Sequence, residues 1–193
     1  MLPVAHLSVT TALDTIYAEL AVTGAAISAA NGDELNLAAE TLQDARRIFT
    51  LGAGRSGIAL NMTAMRLMHL GLTVHVVGEA TAPAIETGDV LLVASGSGST
   101  TGIVSAARTA HEVGAKTVAI TADATSVIAD LADVAVIVPA ARKLDRDSTA
   151  SAQYAGSLFE QSVAIIGDAL FHALWMASGQ TADELWPRHS NLE

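Results

Sequence analysis

Five short apolar runs in the middle of the chain constrain its fold more than any other feature of the sequence. None of them alternates between apolar and polar residues, and uninterrupted runs of this length are typical of strands buried on both faces of a parallel sheet. We therefore predict an α/β fold: a doubly wound domain with a five-stranded parallel sheet flanked by helices. The predicted strands are RIFTLG (47–52), TVHVVG (73–78), DVLLVAS (89–95), KTVAIT (116–121) and VAVIVP (134–139).

Helix-length segments separate these strands. Their apolar spacing predicts helices over Ser56–Leu70, Thr100–Val113 and Ser126–Leu131. Gly71 and Gly114 follow the first two, and glycine is the usual residue just beyond a helix end. The repeated order of strand, helix and strand is what a parallel sheet with crossover helices requires.

A helical arm precedes the 47–139 core. Within residues 1–46, the stretch 6–30 carries apolar residues at helical spacing, and a second helix is expected from about Asp33 to Arg46. We find no internal repeat and no low-complexity linker, so a single domain spanning 1–193 is the simplest interpretation.

A second helical arm, 151–193, follows the core. Its main element is one long predicted helix, Ser157–Ala177, ended by Gly179. The polar stretch 141–156 before that helix predicts a surface loop, and the short polar tail after it is expected to attach through Trp186.

The charge balance limits the classes of partner. The chain has 10 Lys and Arg against 20 Asp and Glu, a formal net charge of −10, which argues against nucleic-acid binding. It has no cysteine, no segment resembling a signal peptide and no run of about 20 apolar residues, so we expect a cytoplasmic protein with no membrane partner. The high apolar content predicts surface buried between subunits, hence a homo-oligomer.

The glycine-rich turn SGSGSTTG (95–102) is the most informative candidate site. It follows a predicted strand and precedes a predicted helix, and a helix N-terminus has free N–H groups and a partial positive charge that bind anions. The hydroxyls would add neutral donors to a phosphate monoester. The alternative is that these residues only cap the helix. One cap needs one hydroxyl, whereas this turn supplies five: Ser95, Ser97, Ser99, Thr100 and Thr101.

A second glycine-rich turn, LGAGRSG (51–57), follows the first predicted strand. Gly52, Gly54 and Gly57 have the spacing of a dinucleotide-binding fingerprint, but Glu79 lies beyond the position where that fingerprint places its acidic residue. Dinucleotide binding therefore stays an alternative for this turn. Arg55, within it, could reach a phosphate or a sugar hydroxyl, or could simply be a surface arginine.

Together these residues carry a resemblance to a known family. Ser95, Ser97, Gly98 and Thr100 match the phosphate loop of sugar isomerase (SIS) domains, and LGAGRSG resembles the first loop of the same domains. The further stretches AMRLMHLG (64–71), GSLFEQ (156–161) and RHSNLE (188–193) resemble 6-phospho-3-hexuloisomerases. The resemblance covers nearly the whole chain, and the combination of GRSG, SGSGST, GSLFEQ and the terminal RHxNLE is more specific than the phosphate loop alone.

The resemblance implies an activity and a set of site residues. Members interconvert hex-3-ulose 6-phosphate and fructose 6-phosphate through an enediol, in the ribulose monophosphate route of formaldehyde fixation. It implies Glu160 as the catalytic base and His189 as a second catalytic group, with the tail folding over a site that could belong to a neighbouring subunit. The implied ligands of the phosphate and sugar are Ser95, Ser97, Thr100, Gly98, Ser56 and Arg55, with Ser99 ranked lower.

Other interpretations stay open at this stage. An isomerase of another phosphosugar, or a sugar-phosphate sensor without catalysis, would keep the serine loop, and a sensor would need neither Glu160 nor an ordered tail. Glu160 could also be an exposed glutamate near a helix start, and His189 a solvated histidine. His69, at a predicted helix end, is expected to be a cation suited to the helix dipole.

We expect no metal, because no histidine pair has zinc-ligand spacing with a third ligand. The resemblance implies no cofactor, since the isomerisation involves no redox step. The expected partner is the phosphorylated hexulose itself. The resemblance further implies a dimer or tetramer, and functional coupling to the hexulose-phosphate synthase.

Overall fold

A computed structural model describes residues 8–140 and 151–192. Two helices lead into a parallel sheet whose strands are joined by helices or loops, and a long helix with a short helical tail follows. The elements are α1 Val9–Ala30, α2 Gly32–Gln43, β1 Ile48–Gly52, α3 Arg55–Leu70, β2 Val74–Val76, β3 Val90–Ala94, α4 Thr101–Glu112, β4 Lys116–Thr121, α5 Val127–Leu131, β5 Val134–Ile137, α6 Ser157–Ser178 and α7 Ala182–Leu185, with a 3₁₀ turn at Trp186–Arg188.

The five strands form one parallel sheet in the order β2-β1-β3-β4-β5, which confirms the predicted fold class. β1 pairs with β2 on one side and with β3 on the other, so the direction of winding reverses between β1 and β3. In open α/β sheets the crevice outside the carboxyl ends of the strands at such a reversal is where ligands bind.

The sheet separates two hydrophobic cores. Ile48, Leu92 and Ile120 point to one face, where α1, α2, α3 and α6 cover them. Phe49 and Leu91 point to the other face, which α4 and α5 cover. Because both faces of the central strands are covered, β3 is buried at every position, as its uninterrupted apolar run predicts.

Two predictions about the elements are wrong. Residues 73–78 were expected to form a strand buried on both faces, but β2 has three residues, each only partly buried, because it lies at the edge of the sheet. The tail was expected to attach through Trp186, but that side chain is 69% exposed and the neighbouring Leu185 enters the core instead. The expected surface loop 141–156 falls largely outside the described residues.

The long helix α6 packs closely on α3 and carries the start of the C-terminal arm to the carboxyl edge of the sheet. Gly167 makes this approach possible, since a Cβ atom there would lie 1.9 Å from Oγ1 of Thr63. Within residues 8–140 and 151–192 no single helix is long and apolar enough to cross a membrane; α6 together with the segment Ala182–Arg188 meets those limits, but the pair is bent by 110°.

Candidate active site

The two glycine-rich turns lie side by side at the reversal point of the sheet. Gly52, the last residue of β1, is paired in register with Ala94, the last residue of β3. The chain therefore enters both turns at the same edge of the sheet, from two neighbouring strands. This places the two candidate loops, which are separated by about 40 residues of sequence, against one crevice.

The first turn depends on glycine for its shape. A Cβ at Gly52 would lie 2.7 Å from the Gly57 nitrogen, and a Cβ at Gly57 would lie 2.6 Å from the Gly52 oxygen. The tight turn between them begins α3 at Arg55, with Gly54 at φ 59° as the N-cap and no side-chain cap. Ser56, in the first helical turn, is buried. The first turn thus presents the uncapped N-terminus of α3 and the Arg55 side chain to the crevice.

The second turn is held in a fixed shape from behind. Gly98 has φ 58°, and a Cβ there would lie 2.0 Å from the Ser126 hydroxyl, so no other residue fits. Its carbonyl accepts a hydrogen bond of 3.1 Å from the Ile128 N–H at the start of α5. The loop backbone is therefore fixed by its contact with α5.

The hydroxyls of this turn are arranged in two pairs. Ser95 is buried and shares a hydrogen bond of 3.2 Å with Thr100, while the exposed Ser97 accepts one of 3.2 Å from Ser99. Thr100 occupies the N-cap of α4, yet its side chain makes no cap hydrogen bond. Thr100 therefore does not cap the helix with its side chain, contrary to the alternative in which these hydroxyls serve only as caps. The N-terminal N–H groups of α4 receive no side-chain cap from it.

Glu160 lies in the first turn of α6, and this turn contacts both loops. The Glu160 side chain is 11% exposed, and it accepts a hydrogen bond of 2.5 Å from Nε of Arg55 in the first loop. Next to it, the Phe159 ring packs on Gly96 of the second loop, where a Cβ would lie 3.3 Å away. Glu160 is thus not an exposed glutamate but a shielded carboxylate, paired with the first glycine-rich turn and carried by a helical turn that also contacts the second.

A residue that sequence reasoning missed lies next to this site. Glu19 of α1 contacts Ser151, Ala152 and Gln153, in the segment that leads into α6. Its partners are more than 130 residues away in the sequence, and its position on an ordinary amphipathic helix gave no signal of them. Only the folded chain brings them together.

His189 does not join Glu160 within one chain. Its ring stacks on His69 near the end of α3, with ring centroids 3.9 Å apart, and its Nδ1 lies 3.2 Å from the Trp186 carbonyl oxygen. Fourteen helical steps separate His69 from Arg55, a distance of about 21 Å along α3. The expectation that the tail folds over a site is therefore not met by the chain's own crevice.

His69 also differs from expectation. It is 5% exposed, and its Nδ1 has no hydrogen-bond partner among the residues that the structure describes. Burial lowers the pKa of His69, and the proximity of His189 and Arg66 lowers it further. The interpretation of His69 as a helix-end cation is wrong, because the cost of burying a charge outweighs the attraction of the helix dipole.

No group of three or more His, Asp or Glu side chains within the described ranges could hold a metal ion. From the described residues, the crevice receives a hydroxyl-rich loop at a helix N-terminus, the Arg55 cation and the shielded Glu160 carboxylate. This combination suits binding of a phosphorylated molecule next to a proton-transferring group.

Comparison with known proteins agrees with this chemistry. The model of the SIS domain family matches residues 41–165. A 3-hexulose-6-phosphate isomerase of Mycobacterium gastri is 49% identical over 96% of this chain and 92% of its own length, and one of Bacillus subtilis is 35% identical over 92% and 95%. A crystal structure from Methanococcus jannaschii, from which a 3-hexulose-6-phosphate isomerase function was inferred, superposes with a TM-score of 0.79 at 28% identity, covering 95% of this chain and 99% of that one.

Proposed function

The chain belongs to the SIS-domain family of 3-hexulose-6-phosphate isomerases, and from this premise we propose that it interconverts D-arabino-hex-3-ulose 6-phosphate and fructose 6-phosphate at the crevice between its two glycine-rich turns. The observation that carries the proposal is Glu160: a carboxylate shielded from solvent and paired with Arg55, on a helical turn whose Phe159 packs on the hydroxyl-rich loop.

The phosphate group binds at the second turn. Ser95, Ser97 and Thr100 supply hydroxyls, and the start of α4 supplies N–H groups that no side-chain cap occupies. Gly98 lets the backbone adopt its left-handed conformation there, and Ser99 hydrogen-bonds to Ser97 and orients it. A dianionic phosphate is then held by many neutral donors and a helix N-terminus instead of by a lysine.

The isomerisation moves a carbonyl from C3 to C2. Glu160, as the carboxylate, takes the proton from C2 of the 3-ketose, and the electrons of that C–H bond form the C2–C3 double bond as the C3 carbonyl oxygen becomes an enolate. Return of the proton to C3, with transfer of the C2 hydroxyl proton to the C3 oxygen, gives the 2-ketose. No electron leaves the sugar, so the step requires only a base and a partner for the oxygens.

Arg55 serves the oxygens in this scheme. Its side chain is 66% exposed and reaches the crevice from the first turn of α3, where Ser56 lies beside it. Its Nε donates to Glu160, and a substrate phosphate or enediolate oxygen competes for the same guanidinium. Substrate binding would in this way release the carboxylate for proton transfer.

We further propose that His189 acts in the crevice of a second copy, within a homo-oligomer, because the residue on which it stacks, His69, lies about 21 Å along α3 from Arg55. The same proposal includes four further properties that the family implies. They are a tetramer, a cytoplasmic location, a role in formaldehyde fixation and coupling to the hexulose-phosphate synthase.

A coupled assay tests the proposed function. Hex-3-ulose 6-phosphate is made in situ from formaldehyde and ribulose 5-phosphate by its synthase, and fructose 6-phosphate formation is followed through NADPH. The wild type should turn over, and Glu160→Gln should lose on the order of 10²-fold or more in kcat while still binding fructose 6-phosphate, because general-base catalysis contributes that much.

Glu112→Gln is the matched control, since Glu112 is exposed at the end of α4 and far from the crevice. Equal turnover in Glu160→Gln and Glu112→Gln would exclude Glu160 as the base. A wild type that binds fructose 6-phosphate but never turns over would favour the sensor interpretation.

A further inference from the structure

We propose that Glu19 is a positioning residue for the reaction: its carboxylate fixes residues 151–153 and thereby the first turn of α6, so that Glu160 keeps its place next to Arg55 of the first glycine-rich turn. The proposal rests on the proposed role of Glu160. We refer to Glu19, Ser151, Ala152 and Gln153 as the Glu19 clamp.

Three donors converge on the Glu19 carboxylate. The Ser151 hydroxyl and the Gln153 amide donate to Oε2 at 2.8 and 2.9 Å, and the Ala152 backbone N–H donates to Oε1 at 2.6 Å. The Gln153 N–H in turn donates to the Ser151 hydroxyl at 3.0 Å. One side chain on α1 thus holds three consecutive residues of a distant segment.

The clamp is connected to Glu160 in two ways. Along the chain, residues 154–156 form a turn in which Ala155 adopts φ 49°, a left-handed conformation that is costly for a non-glycine residue and persists only where its surroundings hold it. That turn ends at Gly156, whose carbonyl accepts from the Glu160 N–H at 3.0 Å. Across the turn, the Gln161 amide donates to Oε1 of Gln153 at 2.9 Å.

Position 19 requires a side chain that accepts hydrogen bonds and donates none. A carboxylate accepts all three hydrogen bonds, whereas an amide at this position would direct its own NH₂ at the Gln153 amide or at the Ala152 N–H. Burial alone would raise the pKa of Glu19, but the hydrogen bonds from Ala152, Gln153 and Ser151 outweigh it and hold the pKa below its ordinary value. The Glu19 carboxylate therefore stays ionised at neutral pH.

The clamp acts on the first turn of α6 and not on the packing of the whole helix. Farther along α6, Val163, Ile166 and Leu170 lie in the core, and Gly167 fits against Thr63. Loss of the clamp should therefore leave the fold intact and displace Glu160. Misplacement of a catalytic group by about 1 Å can cost as much as 10²-fold in rate.

The test compares steady-state kinetics of Glu19→Gln with those of the wild type and of Asp14→Asn. Asp14 is an exposed carboxylate on the same helix and makes no hydrogen bond or ion pair with any residue in 8–140 or 151–192. We expect Glu19→Gln to lower kcat by about tenfold or more, with KM within about threefold and an unchanged melting temperature, and Asp14→Asn to match the wild type.

A pair exchange tests position against mere loss of charge. In Glu19→Gln/Gln153→Glu the amide and the carboxylate trade places, so an acceptor for Gln161 remains at position 153 and the bond between positions 19 and 153 is reformed in the opposite sense. We expect this double variant to recover most of the lost kcat. A general structural defect caused by the substitution on α1 would not be repaired by a second substitution at position 153.

The outcomes separate this proposal from the one on which it rests. If Glu160→Gln abolishes turnover but Glu19→Gln keeps kcat within about twofold of the wild type, the clamp does not position the base, and only this proposal is wrong. The Glu19 proposal is also overturned if the double variant fails to recover activity. A loss of kcat that is accompanied by a fall in melting temperature would overturn it as well. If Glu160→Gln is fully active, the assignment of the base fails and the clamp proposal fails with it.

Discussion

At the scale of single residues, two shielded carboxylates have their charges balanced in different ways. Asp89 is fully buried, and Arg46, Arg47 and the Glu86 N–H all donate to it. Among the residues that the structure describes, Glu160 has one ionic partner, Arg55, whose side chain is 66% exposed. A carboxylate with several partners is structural, because the loss of any partner leaves part of its buried charge uncompensated. A carboxylate with a single, movable partner can exchange it for a ligand.

The hydroxyl at Ser97 is predicted to contribute to phosphate binding and not to the chemical step. It is exposed in the crevice loop, and its hydroxyl hydrogen bonds within the described residues come only from its neighbour Ser99. Ser97→Ala should raise KM by about 10- to 100-fold, the effect of losing a hydrogen bond to a charged group, with kcat changed little. Steady-state kinetics measure both.

Ser105→Ala, on the exposed side of α4, is the control for this variant. An unchanged KM in Ser97→Ala would exclude the hydroxyl loop as the phosphate site. A fall in kcat without a change in KM would place Ser97 in the proton transfer instead.

At the scale of elements, the contact between α3 and α6 sets the distance between Arg55 and Glu160. Arg55 begins one helix and Glu160 lies in the first turn of the other, so both face the crevice only while the helices keep their separation. Gly167 defines that separation, because it lets α6 approach Thr63, which is 1% exposed.

Gly167→Ala is therefore predicted to destabilise the protein. The new Cβ would lie 1.9 Å from Oγ1 of Thr63, and overpacking of this kind costs about 1–3 kcal/mol. Gly24→Ala on α1 is the control: nothing lies within 4 Å of a Cβ there, so removing a helical glycine should be neutral or stabilising. Urea unfolding measures the difference, and equal stability of the two variants would show that the helices separate without cost.

The burial of His69, on which the tail packs, predicts that the stability of the protein depends on pH. Burial, then His189 and then Arg66 lower the pKa of His69, and Arg188 of the same tail donates to the His69 carbonyl. Below pH 6.5, the ordinary value, the unfolded chain binds a proton at His69 that the folded chain does not. Stability should therefore fall as the pH drops below about 6.5 and be independent of this group above it.

Thermal unfolding of the wild type and of His69→Phe between pH 7.5 and 5.5 measures this effect. Phenylalanine keeps a ring for His189 to stack on but does not titrate, so the variant should lose less stability on acidification. Parallel curves for the two proteins would show that His69 does not change its charge state on unfolding.

Most of the elements could be predicted from the sequence, because their signals are local. β4 was predicted with its observed bounds, and α6 to within one residue at its end, since an apolar run or an apolar face with a following glycine is contained in one window of sequence. The edge position of β2 could not be predicted in this way, because it depends on strand order and not on the composition of the strand.

The candidate site was predictable only where its residues belong to a short, recognisable stretch of sequence, such as SGSGST, GRSG or GSLFEQ. The hydroxyl turn and Arg55 have a local signature, whereas the Glu19 clamp and the stacking of His189 on His69 join residues more than 100 positions apart. Neither pair has a periodic or compositional signal. Such contacts follow from the way helices pack on the finished sheet, which a single sequence does not show.

At the scale of the whole molecule, the helices that cover one face of the sheet leave apolar side chains exposed. On α3 these are Ile58, Met62 and Met65, and α6 adds Ile165 and Met176. Apolar surface repeated along neighbouring helices is the usual sign of a subunit interface. It accords with an enzyme whose crevice would receive His189 from another copy.

Light scattering should therefore give a mass that is a multiple of the 19.7 kDa chain at micromolar concentration. Met65→Glu places a charge on this surface, and we expect it to shift the protein towards smaller species and to lower kcat in parallel, because the proposed second catalytic group would be lost. His111→Glu, on the exposed side of α4, is the control. A fully active monomer would contradict both the interface and the shared site.

Proton exchange at the sugar carbons tests the central claim most directly. Fructose 6-phosphate is incubated with the protein in D₂O and followed by NMR. An enediol between C2 and C3, formed by Glu160, predicts loss of the C3 proton signal with the C1 protons retained, and no exchange in Glu160→Gln. Exchange at C1 would identify an aldose–ketose isomerase instead, and binding without exchange at either carbon would contradict catalysis by this chain.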